Sequence, residues 1–193
     1  MDLCTSVPPL PEFSKLLHPS CQLWILSGNG SCQLSKKHIK RIVKYVVHEK
    51  KGLFLWGEND PFNVEANAVL AELPMFQGPN KVELQGNFMG DTVLTESTSA
   101  GAPGFKNHLV TTGLQSVYEG ITVAAVVGKS SSFRTLIRSS DSKTVTAIYD
   151  RDGCRIAIDG GYTRLYPAMW TRRRVPPASS PTVPAGYTTT STG

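Results

Sequence analysis

Apolar residues along this chain keep two alternating rhythms. Gln22-Leu23-Trp24-Ile25-Leu26-Ser27 is a short apolar run closed by Gly28-Asn29-Gly30, which predicts a buried strand and a turn. Beyond Ser35, a predicted N-cap, Ile39, Ile42, Val43, Val46 and Val47 recur at i, i+3, i+4, i+7 and i+8. That is one stripe of a helix, with Gly52 placed as its stop. Residues 53–56 predict a second buried strand. A second helix begins near Asn63, turns Ala66, Val69, Leu70 and Leu73 inward, and ends at Pro74. Strand, helix, strand, helix over residues 22–73 predicts a parallel sheet covered on both faces.

The second half is less regular. Residues 82–84 predict a third strand, the Gly-, Ser- and Thr-rich stretch 86–107 a long surface loop, and the β-branched run 121–127 a central strand. Strands at 135–138 and 144–149 follow. Asp150-Arg151-Asp152-Gly153 predicts a hairpin turn, with 154–159 as the returning strand. The expected fold is therefore α/β: an open parallel sheet with helices on both faces and an antiparallel hairpin at its C-terminal edge. Residues 1–20 are expected to be a Pro-rich lead-in and 21–170 the α/β domain. Residues 171–193 hold six Thr, four Pro and three Ser but no Leu, Ile or Phe. They predict a disordered tail, or a frameshifted replacement of the last helix such a sheet needs. A chain lacking that helix would leave an apolar sheet face open.

Length and charge narrow the function. At 193 residues the chain suits one domain with a real core. Of the formal net charge of +5, Arg172, Arg173 and Arg174 supply three, leaving +2 for the rest. Lys36, Lys37, Lys40, Arg41, Lys44, Lys50 and Lys51 gather on one predicted helix and its end, without interleaved aromatic residues. They predict a solvated face and no nucleic-acid partner. No stretch reaches roughly 18 apolar residues, so no membrane span is expected. Residues 1–13 lack the basic start and apolar core of a signal peptide. Cys4, Cys21, Cys32 and Cys154 form no CxxC and have no His at ligand spacing. Reduced thiols in a cytoplasmic protein, with no metal, are expected. Neither GxGxxG nor GxxxxGK[ST] occurs, and no cofactor is expected.

Ligands of open parallel sheets bind beyond the carboxyl ends of the strands. Trp56-Gly57-Glu58-Asn59-Asp60-Pro61 leaves such an end, with two carboxylates, an amide and a helix start near Asn63. Glu58 or Asp60 is a candidate general acid or base, and the helix start a candidate anion seat. Asp60 and Asn63 read equally well as turn and cap. A second candidate segment runs from His108 through Thr112 to Tyr118 and Glu119. The third, Asp159-Gly160-Gly161-Tyr162-Thr163-Arg164, has glycines that permit close backbone approach and an arginine. That arginine would hold an anion or pair with Asp159. No cysteine follows a strong strand as a nucleophile elbow requires.

Three segments in order resemble the class I glutamine amidotransferase-like superfamily, nearest its ThuA-like branch. They are Lys51-Gly52-Leu53-Phe54-Leu55-Trp56-Gly57, His108-Leu109-Val110-Thr111-Thr112-Gly113-Leu114 and Asp152-Gly153-Cys154-Arg155. ThuA-like proteins carry a similar HPITxGL string, in which Leu109 here replaces the proline. The resemblance spans residues 22–166 and implies a flavodoxin-like fold with a strand-end pocket. Active members release ammonia from glutamine with a Cys-His-Glu triad, but Gly57 and Glu58 stand here near the elbow cysteine's place, so the triad does not carry over. The expectation is a domain that binds a small polar ligand or a protein partner. Its ligand-binding residues would be Trp56, Gly57, Asn59, Asn63, Thr112, Tyr118, Glu119, Asp159, Tyr162 and Arg164. The alternative is a hydrolase or isomerase of a sugar-like or amide substrate, with Glu58 or Asp60 as base and His108 as partner. Glu58 within about 3 Å of His108 would favour the enzyme, and the two pointing apart the binding module.

Overall fold

A computed structural model describes residues 4–28, 30–129 and 131–166. The tail expected at 171–193 lies outside the described residues. The chain runs α1 (Leu10–Leu17), β1 (Gln22–Leu26), α2 (Lys36–Val47), β2 (Gly52–Trp56), α3 (Val64–Glu72), β3 (Val82–Met89), β4 (Val93–Leu94), β5 (Gly104–Phe105), β6 (Val117–Tyr118), β7 (Thr122–Gly128), β8 (Arg134–Arg138), β9 (Thr144–Arg151) and β10 (Cys154–Asp159). It is a mixed α/β fold. The main sheet has the order β1-β2-β10-β9-β8-β5. β1, β2 and β10 are mutually parallel, with Leu23, Leu53 and Ile156 in one row and Ile25, Leu55 and Ile158 in another. The remaining pairings, β10 with β9, β9 with β8 and β8 with β5, are antiparallel.

The β9–β10 hairpin turns through Asp152 and Gly153, both at positive φ, as expected of a two-residue connection. It does not stand at the edge of the sheet. β10 is inserted between β2 and β9, and β8 and β5 extend the sheet beyond it. The reason lies in β9 itself: Val145, Thr146, Ala147, Ile148 and Tyr149 are consecutively buried, the pattern of an interior strand. The run expected as a central strand, β7, pairs instead with β3 in a separate antiparallel ladder. It is buried because Val123 faces one core cluster while Ala124 and Val126 face the other.

Strand alternation sorts the core into two layers. Leu53, Leu55, Ala147, Tyr149, Ile156 and Ile158 meet the buried stripes of α1, α2 and α3. Ile148 joins Leu94, Phe105, Val123, Leu136 and Val145, with Ala157 packed against them, on the opposite side. The helices expected on both faces thus gather on one. On the other face the β1–β2 end stays open: Trp24 is 39% and Leu26 50% exposed. β1 is consequently a half-exposed edge strand rather than the buried strand its composition predicts. There the rings of Trp24, Phe54 and Trp56 pack together, with centroids 4.1 Å apart for Phe54 and Trp56 and 5.2 Å for Trp24 and Trp56.

Three local expectations change. Ser35 does cap α2, accepting a hydrogen bond from the His38 amide at 3.4 Å, but the chain leaves the helix through Lys50 at φ 56°, and Gly52 already belongs to β2. The Pro-rich lead-in contains a helix, α1, whose start is pre-set by Pro9 and Pro11. Phe13 and Leu17 bury its inner side, and the Phe13 ring meets His38 of α2 edge-on at 5.3 Å. The stretch 86–107 carries the end of β3 and the short β4 and β5.

If α1 is integral to the core, Leu17→Ala will destabilise the protein by about 2–5 kcal/mol, the range for a buried leucine truncation. Urea unfolding of the full chain measures it, and a change below about 0.5 kcal/mol would show α1 to be an appendage.

Candidate functional site

The parallel strands β2 and β10 end side by side, and the residues that follow them form one polar cluster. The Gly57 amide donates to Asp159 O at 2.9 Å, and the Tyr162 amide donates to Gly57 O at 3.3 Å. A single 3-10 turn over Tyr162–Leu165 then folds the chain back beneath the strand ends. Glycine is required here: a Cβ on Gly160 would collide with the Ala124 carbonyl oxygen, and one on Gly161 would lie 2.7 Å from Arg164 Nη2. The close backbone approach expected of this Gly-Gly pair is realised.

Arg164 is the centre of the cluster. Its Nη1 lies 3.2 Å from Asp159 Oδ2 and donates to Thr146 Oγ1 at 3.3 Å. Nε donates to Gly161 O at 2.9 Å and Nη2 to Glu119 O at 2.8 Å. Asp159 is equally occupied, because Oδ2 accepts from Thr146 Oγ1 at 2.6 Å and Oδ1 from the Gly161 amide at 2.8 Å. All of these side chains are buried. Of the two roles open to Arg164, pairing with Asp159 is the one adopted.

Two carboxylates flank this pair. Glu58, only 5% exposed, accepts from the Thr163 amide at 3.3 Å. Burial pushes its carboxyl above the usual range against the pull of Thr163 and Arg164. Glu119 accepts from the Ser140 amide at 3.2 Å through Oε1, while Oε2 has no partner among the described residues; burial raises this carboxyl too. Tyr162, half-buried, has its hydroxyl pushed up to about 12 by burial and the neighbouring Glu58. Asn59 accepts from Thr122 Oγ1 at 2.9 Å. The indole N–H of the buried Trp56 finds no acceptor among the described residues.

The other expected residues go elsewhere. His108 caps its own 3-10 turn: its Nδ1 accepts from the Val110 amide at 3.2 Å, and its carbonyl from Thr112 Oγ1 at 3.0 Å. The contacts of His108 and those of Glu58 share no residue. Tyr118 donates to Asp91 at 2.8 Å. Asp60 is exposed. Asn63 makes no side-chain cap for α3; it is buried and reaches Leu84 O, tying α3 to β3. Among the described residues no group of three or more His, Cys, Asp or Glu is placed to hold a metal, and no helix is long and apolar enough to cross a membrane. Three cysteines are exposed, Cys154 is buried, and all four are free. Sequence reasoning missed Thr146, Trp24 and Phe54, while Thr163 lay inside the third candidate segment without a role of its own. Thr146 carries no signal as an isolated threonine, whereas alternation along β1 and β2 does place Trp24, Phe54 and Trp56 on one face.

A comparison with protein families finds no match, and neither does one with curated proteins. Among solved structures the chain is similar to "Cytoplasmic Protein STM1381 from Salmonella typhimurium LT2", with 10% identity and a TM-score of 0.54, covering 81% of this chain and 71% of that one. At that identity the likeness is one of fold alone.

Two predictions follow from the cluster's geometry. Arg164→Met leaves Asp159 buried without its partner and will cost about 3–5 kcal/mol of stability in urea unfolding; a loss under about 1 kcal/mol would mean that Arg164 is free to serve a ligand. Glu58 has a raised folded-state pKa, so the folded protein binds its proton more tightly than the unfolded chain does. Its contribution is present at low pH and is lost as pH rises from the ordinary carboxylate value through the raised one. Glu58→Gln keeps the oxygen that accepts from Thr163 and removes that loss. Its melting temperature relative to wild type will therefore climb as pH rises above the ordinary carboxylate value of about 4.5; a flat difference would refute the raised pKa.

Proposed function

We propose that this chain is a non-catalytic relative of the amidotransferase-like proteins, a binding module for a small, uncharged polar ligand such as a sugar-like molecule or an amide. The flavodoxin-like description belongs to the same reading. What supports it is the parallel set β1, β2 and β10, with α2 and α3 following β1 and β2. A protein partner remains the second occupant of the same surface.

One observation carries the proposal: the formal charges at the strand ends are spent within the chain, while a neutral donor beside them, the Trp56 indole N–H, has no acceptor among the described residues. Asp159 and Arg164 satisfy each other, and Glu58 is held toward its neutral form. The Trp56 N–H lacks an acceptor, and half-buried Asn59 and Tyr162 flank the same strand ends. Aromatic rings beside neutral donors and acceptors suit a hydroxylated or amide ligand, which needs no countercharge. The hydrolase or isomerase reading draws support from the raised Glu58 carboxyl, a property of general acids. It lacks a partner base, since His108 is engaged in its own loop.

Titration of 15N-labelled protein with sucrose and with acetamide will move the Trp56 indole resonance, saturably, while neither reducing sugar nor ammonia is released above the buffer rate. Turnover abolished by Glu58→Gln would establish the enzyme instead. An indole signal that no compound of either class moves would remove the binding module.

A further inference from the structure

A concavity lies away from the strand-end cluster. It is a groove of about 810 Å3 between the β3–β7 ladder and the β8–β9 hairpin. Its floor is the face of the ladder that carries Gln85, Ala125 and Val127, and its wall carries Phe133 just before β8, Arg134 and Thr135 of β8, Lys143 just before β9 and Thr144 of β9. The ladder opens it: pairing of β3 with β7 skips between Gln85 and Phe88, and Gly86 at φ 80° turns the strand in that gap.

The charges of this groove are not spent as those of the strand ends are. The Arg134 guanidinium makes no hydrogen bond or ion pair among the described residues. Arg138 donates through Nη1 to Ser142 O at 2.9 Å and has no carboxylate partner there. Lys143 pairs with Asp141 at 2.6 Å and sits 4.2 Å from the centre of the Phe88 ring. Glu83, next to the floor, is matched by Lys81. Two guanidinium groups therefore remain without countercharge on one wall of a cavity that also offers the Phe88 and Phe133 rings. Guanidinium forks match phosphate oxygens in pairs, and one phosphate ester brings nearly two negative charges where a carboxylate brings one. The volume falls within the range of pockets for small organic ligands and exceeds what a bare anion needs.

We propose that this groove is a binding site for a small organic phosphate, its phosphate groups held by Arg134 and Arg138 and its body lying between Phe88 and Phe133. The site is independent of the neutral-ligand reading of the strand ends.

Isothermal titration of the full chain with adenosine triphosphate and with inorganic pyrophosphate tests it. Both probes will bind saturably, adenosine triphosphate more tightly because of its ring. Arg134→Ala and Arg138→Ala will each weaken binding about tenfold, and Lys37→Ala, which removes a charge from the outer face of α2, will not. The Trp56 indole resonance will stay still throughout, which separates failure here from failure at the strand ends. No saturable binding up to about 10 mM, or equal weakening by Lys37→Ala, would overturn the proposal. The substitutions lie on partly exposed side chains, and equal melting temperatures of the variants confirm that folding is unaffected.

Discussion

The ion pair of Asp159 and Arg164 is the constraint around which the rest of the strand-end region is arranged. A buried charge pair contributes to stability only when every donor and lone pair around it is used, because desolvation is otherwise uncompensated. Here the guanidinium reaches four acceptors on three segments: Asp159 at the end of β10 and Gly161 after it, Thr146 on β9, and the Glu119 carbonyl before β7. Meeting them requires the chain to turn immediately after β10, hence the two glycines and the single 3-10 turn. The same turn presents the Thr163 amide to Glu58 and its hydroxyl to the Ile121 amide. One side chain thus fixes how β2, β7, β9 and β10 meet.

That arrangement explains why the sheet is asymmetric in its covering. On the side of the helices, Leu and Ile rows from β1, β2 and β10 are sealed by α1, α2 and α3. On the other side Leu94 of β4, Val117 of β6 and Val123 of β7 pack with Leu136 and Ile137 of β8, Val145 and Ile148 of β9 and Ala157 of β10, while Trp24 and Leu26 of β1 stay exposed. The open portion is lined with aromatic rings rather than polar groups. Edge-to-face contacts of Trp24 with Phe54 and Trp56, and the tilted stack of Phe54 on Trp56, recover part of the burial that a covering layer would provide. The shelf they form leads directly to the orphaned Trp56 N–H, so an apolar surface and a neutral donor are continuous.

Much of this was legible in the residue pattern wherever burial is one-sided. The stripe of α2, the capping Ser35 and the Asp152-Gly153 turn are local statements, and each is realised. Strand placement is a non-local property. Nothing in residues 154–159 says that β10 will slip between β2 and β9, because the parallel pairing with β2 is set by packing across a hundred residues. The composition of β1 failed for a related reason: an apolar run reads as buried on both faces, whereas the partner layer for one face is not supplied by its neighbours in sequence. Asn63 was legible as a helix-start residue, yet its amide is drawn to Leu84 O by a strand that packs over α3. His108 and Glu58 were legible as chemical groups and not as neighbours, since only the fold decides distance.

The contrast between the protein's arginines argues for where recognition occurs. Arg164 is 8% exposed and saturated with acceptors, so a ligand anion approaching it would have to displace Asp159 from a hydrogen-bonded network. The loss would be that of a buried pair, far more than a surface contact returns. Arg134 and Arg138 present the opposite case. They project from a strand wall, lack carboxylate partners among the described residues and face open volume, so an incoming anion breaks no existing ion pair at either. Charge that is already neutralised inside a protein serves the fold, and charge left without a partner beside a cavity is available to a ligand. By that criterion the proposed strand-end ligand is neutral and the proposed groove ligand anionic, because Arg164 is already paired with Asp159 whereas Arg134 and Arg138 have no carboxylate partner among the described residues.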